Sequence, residues 1–420
     1  MASLSVVALK SLLNRRFTSV LAIGAIALSV TLLLGVERVR SDARLSFANT
    51  VSGVDLIVGA RTGAIPLLLY SVFHIGSHTN DVSWESYEWL ASHPAVEWAV
   101  PISLGDSHKG FPLLGTSQDY FQHYRYSAGR RLELQQGELF SDVFDVVVGA
   151  EVAEQLGYEV GDEVVIAHGA GEVSLVEHED KPFHVSGILR RTGTPVDRTL
   201  HVSLEGIEAM HVDWEQGMPV HRHSVSAEEA RDMHLEPEVI TAALLGLKSP
   251  IASLGLQRAV NLYEEEPLLA ILPGVALQEL WDLMSVAERA LLIVSALVVA
   301  TGLVGMMGIL LASLNERRRE MAILRSVGAR PAHVFTLLLG ESLTLAIVGV
   351  VLGVLSLYAL LWLGGPILES RFGLALPVRM LSVQEVGMML AVVVGAVLAG
   401  LVPALRAYRQ SLADGMTIRV

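Results

Sequence analysis

Four apolar runs, Thr18–Val36, Ala290–Leu314, Phe335–Leu363 and Val386–Leu405, constrain this chain more than any other feature of its 420 residues. Each is long enough to cross a hydrocarbon layer of about 30 Å, which takes about 20 residues of helix. Inside such a layer the backbone has to satisfy its own hydrogen bonds, so each run is expected as a helix. Residues 37–289, between the first and second runs, are polar and far too numerous for a loop. The expected fold is therefore a membrane α-helical protein: four transmembrane helices with a large mixed α/β extracytoplasmic domain inserted between helices 1 and 2. The first run follows basic residues, as a signal peptide does. However, it is longer than the usual apolar core and leads into Glu37, Arg38 and Arg40, with no small-residue cleavage site. It is expected to stay as an anchor.

Charge orients the chain. Residues 1–17, 315–334 and 406–420 carry eleven Lys and Arg against three acidic residues, Glu316, Glu320 and Asp414. Residues 37–289 carry 17 basic and 38 acidic residues. Short basic loops stay on the cytoplasmic side, so both termini and the 315–334 segment are expected inside and the large domain outside. An acidic outer domain argues against nucleic acid as a partner. There is no cysteine, which excludes disulfides and thiolate metal sites.

Within residues 1–17, Leu4, Val7, Leu9, Leu12, Leu13 and Phe17 recur at helical spacing, with Lys10, Arg15 and Arg16 on other faces. This suits a cytoplasmic interfacial helix against anionic membrane lipid, or an inward continuation of the first span. Residues 37–50 and Leu277–Glu288 read as stalk helices at the two ends of the outer domain. In that domain, Val54–Ala60 and Val143–Ala150 are apolar runs ending in glycine, as buried strands are. Glu151–Gly157 reads as a short helix closed by Gly157, and Tyr158–Gly169 as a turn at Gly161-Asp162 followed by a strand. Lys181–Leu189 reads as a strand, and Leu204–Trp214 and Ser226–Leu235 as helices. Ile65–Ile75 is too short to span and is expected in the core. The last two spans, 335–363 and 386–405, are joined by an outer loop over 364–385, with Gly364-Gly365-Pro366 expected to stop the third span.

The segment NERRREMAILRSVGARPAHV, residues 315–334, alternates charge with apolar residues before Gly328 and Pro331. Met321, Ile323, Leu324 and Val327 would share the apolar faces of a short helix. The alternation suits a structured docking element better than a solvated basic loop. Glu341 lies about two turns into the third span, where an ionisable group marks a functional position by default; snorkelling or pairing with nearby arginines is the structural alternative. Gly349 and Gly353, like Gly302, Gly305 and Gly308, have the spacing that lets helix backbones approach closely in lipid.

The 315–334 segment followed by a Glu-containing span resembles the signature of the permease family that includes MacB, LolC/LolE and FtsX. DLIVGA, VVVGAEVAEQLGYEVGDEVVI and FHVSGIL resemble that family's periplasmic core domain, and PALRAYRQSLADGM resembles its ending. The resemblance implies a non-catalytic permease subunit of an ABC transporter, working as a homodimer with separate ATPase subunits. ATP and Mg would sit on the partner, since no G-x-x-x-x-G-K-[ST] occurs here to cradle phosphates. It further implies that Glu316, Arg317, Arg318, Arg319, Glu320, Met321, Ile323, Leu324 and Gly328 contact the ATPase. MacB carries an ATPase at its own N-terminus, whereas only 17 residues precede the first span here. The work done would be periplasmic export or extraction of a substrate. The alternatives are ATP-driven regulation of a periplasmic effector protein or enzyme, as FtsX does, and a metal-linked system.

Thirteen of fourteen histidines fall in the outer domain; His333 alone does not. His74-x-x-x-His78, His178…His184 and His221-x-His223 stand among many carboxylates. Imidazole with carboxylate suits zinc; scattered surface histidines in an acidic domain are the plain alternative. Neither a nucleophile elbow nor H-E-x-x-H occurs.

Overall fold

The computed structural model describes residues 16–50, 53–126, 129–169, 176–178, 180–215, 218–219, 225–316, 326, 329–372 and 378–409. Nearly all of the expected interfacial helix, and the tail beyond 409, lie outside the described residues. The chain divides into two compact units, Met1–Ala43 with Ser285–Val420, and Arg44–Met284. Its described α-helices are α1 (Arg16–Thr50), α2 (Ala64–Phe73), α3 (Trp84–Ser92), α4 (Asp119–His123), α5 (Ala150–Leu156), α6 (Leu204–His211), α7 (Ala227–Arg231), α8 (Ser253–Asn261), α9 (Pro273–Glu316), α10 (Pro331–Phe372) and α11 (Val383–Arg409).

The unit Arg44–Met284 is built on a twelve-stranded sheet. In chain order its strands are β1 (Leu56–Ala60), β2 (Val96–His108), β3 (Phe111–Thr116), β4 (Leu134–Gly137), β5 (Asp145–Val148) and β6 (Glu163–Val164). They continue as β7 (Ala167–His168), β8 (Val176–Glu177), β9 (Phe183–Leu189), β10 (Leu200–Ser203), β11 (Ala242–Leu247) and β12 (Leu268–Ile271). The spatial order is β12-β1-β11-β2-β3-β10-β5-β9-β4; β6 pairs with β9, and the β7–β8 ribbon joins β2. Most pairings are antiparallel, but β10 runs parallel to β3 and β9 parallel to β5. Lys109 and Gly110 turn β2 into β3 with φ of 48° and 85°, the paired positive values of a tight hairpin turn.

The apolar runs form strands because both faces of the sheet are covered. Leu56 and Val58 pack into one cluster with Ala243, Leu245 and α8, while Ile57 packs on the other side with Val100, Ile102 and Leu67 of α2. Val146 and Val148 divide from Val147 in the same way. Each fully buried side chain of this size contributes about 1.5–3 kcal/mol. With no disulfide available, that burial holds the unit together. The run expected in the core is α2, whose Leu67 and Leu68 are fully buried.

The other unit packs α1, the later part of α9, α10 and α11. Ala22, Ile26, Val30 and Leu34, four residues apart on α1, meet Met306 and Leu310 of α9, Leu345, Ala346 and Val350 of α10, and Val392 and Ala396 of α11. A methyl group at Gly349 would come within 2.7 Å of Ile26, and one at Gly353 within 2.8 Å of Val30 and the Ala27 carbonyl. The small residues of α10 are therefore where α1 lies against it. Leu28, Leu297, Leu360 and Leu398 point outward at 70, 61, 60 and 59 % exposure. Such an apolar exterior suits lipid and not water. Four helices, 16–42, 273–314, 331–365 and 383–409, are long and apolar enough to cross a membrane.

The expected stop at Gly364-Gly365-Pro366 is not a helix end: α10 runs on to Phe372. A proline removes one N–H and disturbs one turn, but it does not bar the residues after it from helical angles. The same tolerance holds at Pro403 inside α11, while Pro331 opens α10 where no N–H is needed.

Candidate functional site

Two places gather side chains with chemistry. The first is in the unit of long helices, at the end where the 315–334 segment leaves it. Leu314 near the end of α9, Val334 and Leu338 at the start of α10, and Ala404 and Ala407 near the end of α11 form one buried cluster. This cluster brings together the two helix ends that flank the basic segment. Glu316 is the last residue of α9. Arg317, Arg318, Arg319, Glu320, Met321, Ile323, Leu324 and Gly328 lie outside the described residues. His333 Nδ1 accepts the Arg330 N–H at 3.1 Å at the start of α10. Arg406 and Arg409 close α11, where cations complement the helix dipole. Glu341 is buried at 5 % exposure, next to Ser342, which packs on Gly400.

At its other end the same unit holds a buried ion pair that sequence reading missed. Arg38 of α1 donates through Nε to Glu385 Oε1 at 2.7 Å and through Nη2 to Oε2 at 3.3 Å, with both side chains at 0–1 % exposure. A third bond runs from Arg38 Nη1 to the Arg379 carbonyl at 3.1 Å. Glu385 also accepts the Ser382 N–H at 2.6 Å while its own N–H donates to Ser382 Oγ at 3.2 Å. That capping box starts α11. Arg379 in turn reaches Asp42 at 2.9 Å.

The second place is in the α/β unit. His168 ends β7, which pairs with β2 so that His168 lies opposite Asp106. His211 ends α6, and His178 follows β8. One ring nitrogen of each of His168, His178 and His211 lies within 4.8 Å of the others. His168 Nδ1 donates to Asp106 Oδ1 at 2.9 Å. His211 Nδ1 donates to the Ile207 carbonyl at 3.0 Å, which leaves its Nε2 as the lone-pair nitrogen. That Nε2 and both ring nitrogens of His178 are buried with no hydrogen-bond partner among the described residues. Trp214 lies over His178 with ring centres 4.4 Å apart. Burial, and then the neighbouring His211, lower the His178 pKa to about 4, so its ring is neutral at pH 7. Lys181, fully buried, donates to Asp213 Oδ1 at 2.6 Å and so ties the segment carrying His178 to the one carrying His211.

The remaining histidines named from sequence go elsewhere. His74 Nδ1 meets Thr199 Oγ1 at 2.9 Å, and His78 Nε2 meets Asp81 at 3.0 Å. His184 faces Glu163 at 3.8 Å on the exposed side of β9. His221 and His223 lie outside the described residues. The described three-donor group that includes His178 is completed by His168 and His211, which sequence spacing did not single out.

Residues 19–233 match the MacB-like periplasmic core domain family, and residues 292–412 match the FtsX-like permease C-terminal family. The first match alone takes in more than half of the chain. The chain belongs to the FtsX/MacB/LolC-E-like family of ABC transporter permeases. Among its relatives, the lipoprotein-releasing system transmembrane protein LolC of Xylella fastidiosa (strain 9a5c) is 24 % identical over 292 residues, 65 % of this chain and 64 % of LolC. The macrolide export ATP-binding/permease protein MacB of Nitrobacter winogradskyi is 34 % identical over 120 residues, 28 % of this chain and 17 % of MacB. The chain thus spans less than two thirds of the length of these relatives. The solved periplasmic region of MacB from Actinobacillus actinomycetemcomitans aligns over 56 % of this chain and 98 % of its own, at 13 % identity and a TM-score of 0.33.

As an FtsX/MacB-like permease with four apolar helices, the protein is a membrane protein of the bacterial inner membrane. Two of its best-defined polar features left little trace in sequence. Arg38 read only as a charge beyond the first apolar run, and Glu385 only as the last residue of a loop. The one available signal was S-x-x-E at Ser382–Glu385, which marks a helix start.

Proposed function

We propose that this chain is the permease subunit of an ABC transporter that works by mechanotransmission, without passing its substrate through the bilayer. In this reading α1, α9, α10 and α11 are the four spans, the α/β domain sits outside between the first and second, and both termini are inside. A separate ATPase grips residues 316–328; its closure on ATP moves that segment, and α9 and α1 carry the motion to the outer domain. The observation that carries the reading is the gathering of the ends of α9, α10 and α11 around Leu314, Val334 and Ala404, directly beside the chain's densest basic segment. Short basic loops belong on the cytoplasmic face, which is where an ATPase is found.

Helix α9 supports the mechanical part. Its 44 residues correspond to about 66 Å of helix at about 1.5 Å per residue, against a hydrocarbon layer of about 30 Å. One element is therefore long enough both to span and to extend well beyond the bilayer. The names of the matched relatives, one for lipoprotein release and one for macrolide export, favour an amphiphilic substrate; in this reading it is handled on the outer side by a complex with two copies of the permease.

The test is charge reversal of Arg317, Arg318 and Arg319 to Glu combined with Leu324→Asp. The variant is expected to insert normally but to lose co-purification of an ATP-binding protein and its stimulated ATP turnover. Unchanged co-purification and turnover would sink the proposal.

A further inference from the structure

The histidine group in the α/β unit is not needed for coupling to an ATPase, and its geometry is unusual for packing alone. His178 is 1 % exposed, yet neither of its ring nitrogens has a hydrogen-bond partner among the described residues. Leaving such a group buried and unpaired forfeits its hydration with nothing in return. The His211 Nε2 also makes no hydrogen bond; it faces Asp106 Oδ2 at 3.8 Å and belongs to a ring whose tautomer is fixed by the Ile207 carbonyl. The ring of His168 is held by Asp106. Two imidazoles thus have one nitrogen anchored and the other left over, and the third has both left over. A carboxylate or carbonyl behind each coordinating imidazole is the arrangement that orients metal-bound histidines.

We propose that His168, His178 and His211 bind one divalent cation of the zinc class, with Asp106 as the outer carboxylate that orients His168. Three imidazole ligands suit zinc, cobalt, nickel or copper(II), and suit magnesium and calcium poorly, since those take oxygen ligands. In a tetrahedral site with Zn–N of about 2.0–2.1 Å, neighbouring nitrogens stand about 3.3 Å apart. The ring nitrogens now lie within 4.8 Å of one another, and binding would draw them in to that spacing. Charge also favours a cation: Asp106 is buried at 6 % exposure, and the nearby Lys181 ammonium is paired with Asp213 at 2.6 Å. Three protein ligands leave a fourth position for water or for a group on a partner. The bound ion would cross-link the β7–β8 ribbon, the end of α6 and strand β2. This proposal does not depend on the coupling mechanism.

The experiment uses the full chain, purified in detergent with a tag that contains no histidine run, stripped with EDTA and titrated with zinc chloride. Calorimetry and elemental analysis after dialysis should give one zinc per chain, with no comparable uptake of magnesium or calcium. His178→Ala and His211→Ala should each weaken binding by more than about 100-fold, and Asp106→Asn by about 10- to 100-fold. His184→Ala and His234→Ala should leave it unchanged. If the alanine variants fold poorly, zinc-edge X-ray absorption on the unaltered protein decides the matter, because it requires imidazole scattering at about 2.0–2.1 Å. Absence of stoichiometric zinc, zinc retained in both alanine variants, or an all-oxygen absorption spectrum would each overturn the proposal.

Discussion

Breaking the Arg38–Glu385 pair should loosen the helix unit by a calculable amount. Both side chains are essentially out of contact with solvent. In Glu385→Gln the amide can still cap α11 through Ser382, because Gln serves in a capping box as Glu does. What is lost is the negative charge facing Arg38, whose guanidinium then keeps the Arg379 carbonyl at 3.1 Å and the face of the Tyr358 ring, 5.7 Å from its centre, with no counter-charge from Glu385. Removing one partner of a buried pair costs about 3–5 kcal/mol, whereas replacing both by uncharged groups is often close to neutral. The chain has no cysteine, so Ala396→Cys, at a position with 0 % exposure in the helix core, supplies a single buried thiol. Its labelling rate in nanodiscs reports local opening. At tenfold per 1.4 kcal/mol, Glu385→Gln or Arg38→Met should speed labelling by roughly 100- to 4,000-fold. The double variant should fall back toward the parent rate. Parent-like labelling in either single variant would refute the reasoning, as would a double variant that labels as fast as the faster single.

Two further outcomes follow from packing and titration. Gly353→Val, which drives a side chain into Val30 and the Ala27 carbonyl, should cost about 1–3 kcal/mol or more in the same labelling assay; Gly364→Ala, with open space around it, should be neutral. His201 is fully buried, and burial lowers its pKa to about 3. The unfolded chain takes up this proton near pH 6.5 and the folded chain does not, so stability is full above pH 6.5 and declines as pH falls toward 3. The slope from this residue is at most about 1.4 kcal/mol per pH unit. His201→Phe should remove it from urea-unfolding curves followed by tryptophan fluorescence between pH 7 and 4.5, and an unchanged slope would count against that assignment.

The parts of this fold that could be read in sequence are those where one short stretch carries its own answer. Thr18–Val36 and the three later apolar runs are long and nearly uncharged, and nothing but a long helix accommodates them. Val54–Ala60 and Val143–Ala150 announced strands because both of their faces are buried, so after Asp55 and Asp145 the residues run on as uninterrupted apolar stretches. The central strand β2, Val96–His108, was missed. Pro101 and Gly105 break its pattern, although Pro101 is a sheet residue facing Ala243 of β11. Ala242–Leu247 is just as buried, but its alanines and leucines are as common in helices as in strands. Pairings across long separations were invisible for a different reason. Arg38 meets Glu385 only once α1 and α11 pack, and His168 meets His211 only because β7 joins β2 beside the end of α6. Sequence spacing set His178 beside His184, six residues on; the strand β9 carries His184 out to Glu163.

The central claim is that residues 316–328 lie against an ATP-binding partner on the inner face. With no native thiol, Leu324→Cys gives one reactive group within that segment. Native membranes carrying this variant should yield a thiol cross-link to an ATP-binding protein, in a yield that changes when ATP is added, and the thiol should be shielded from an impermeant maleimide in intact spheroplasts. Labelling of Leu324→Cys from outside, or cross-links that never contain an ATP-binding protein, would contradict it.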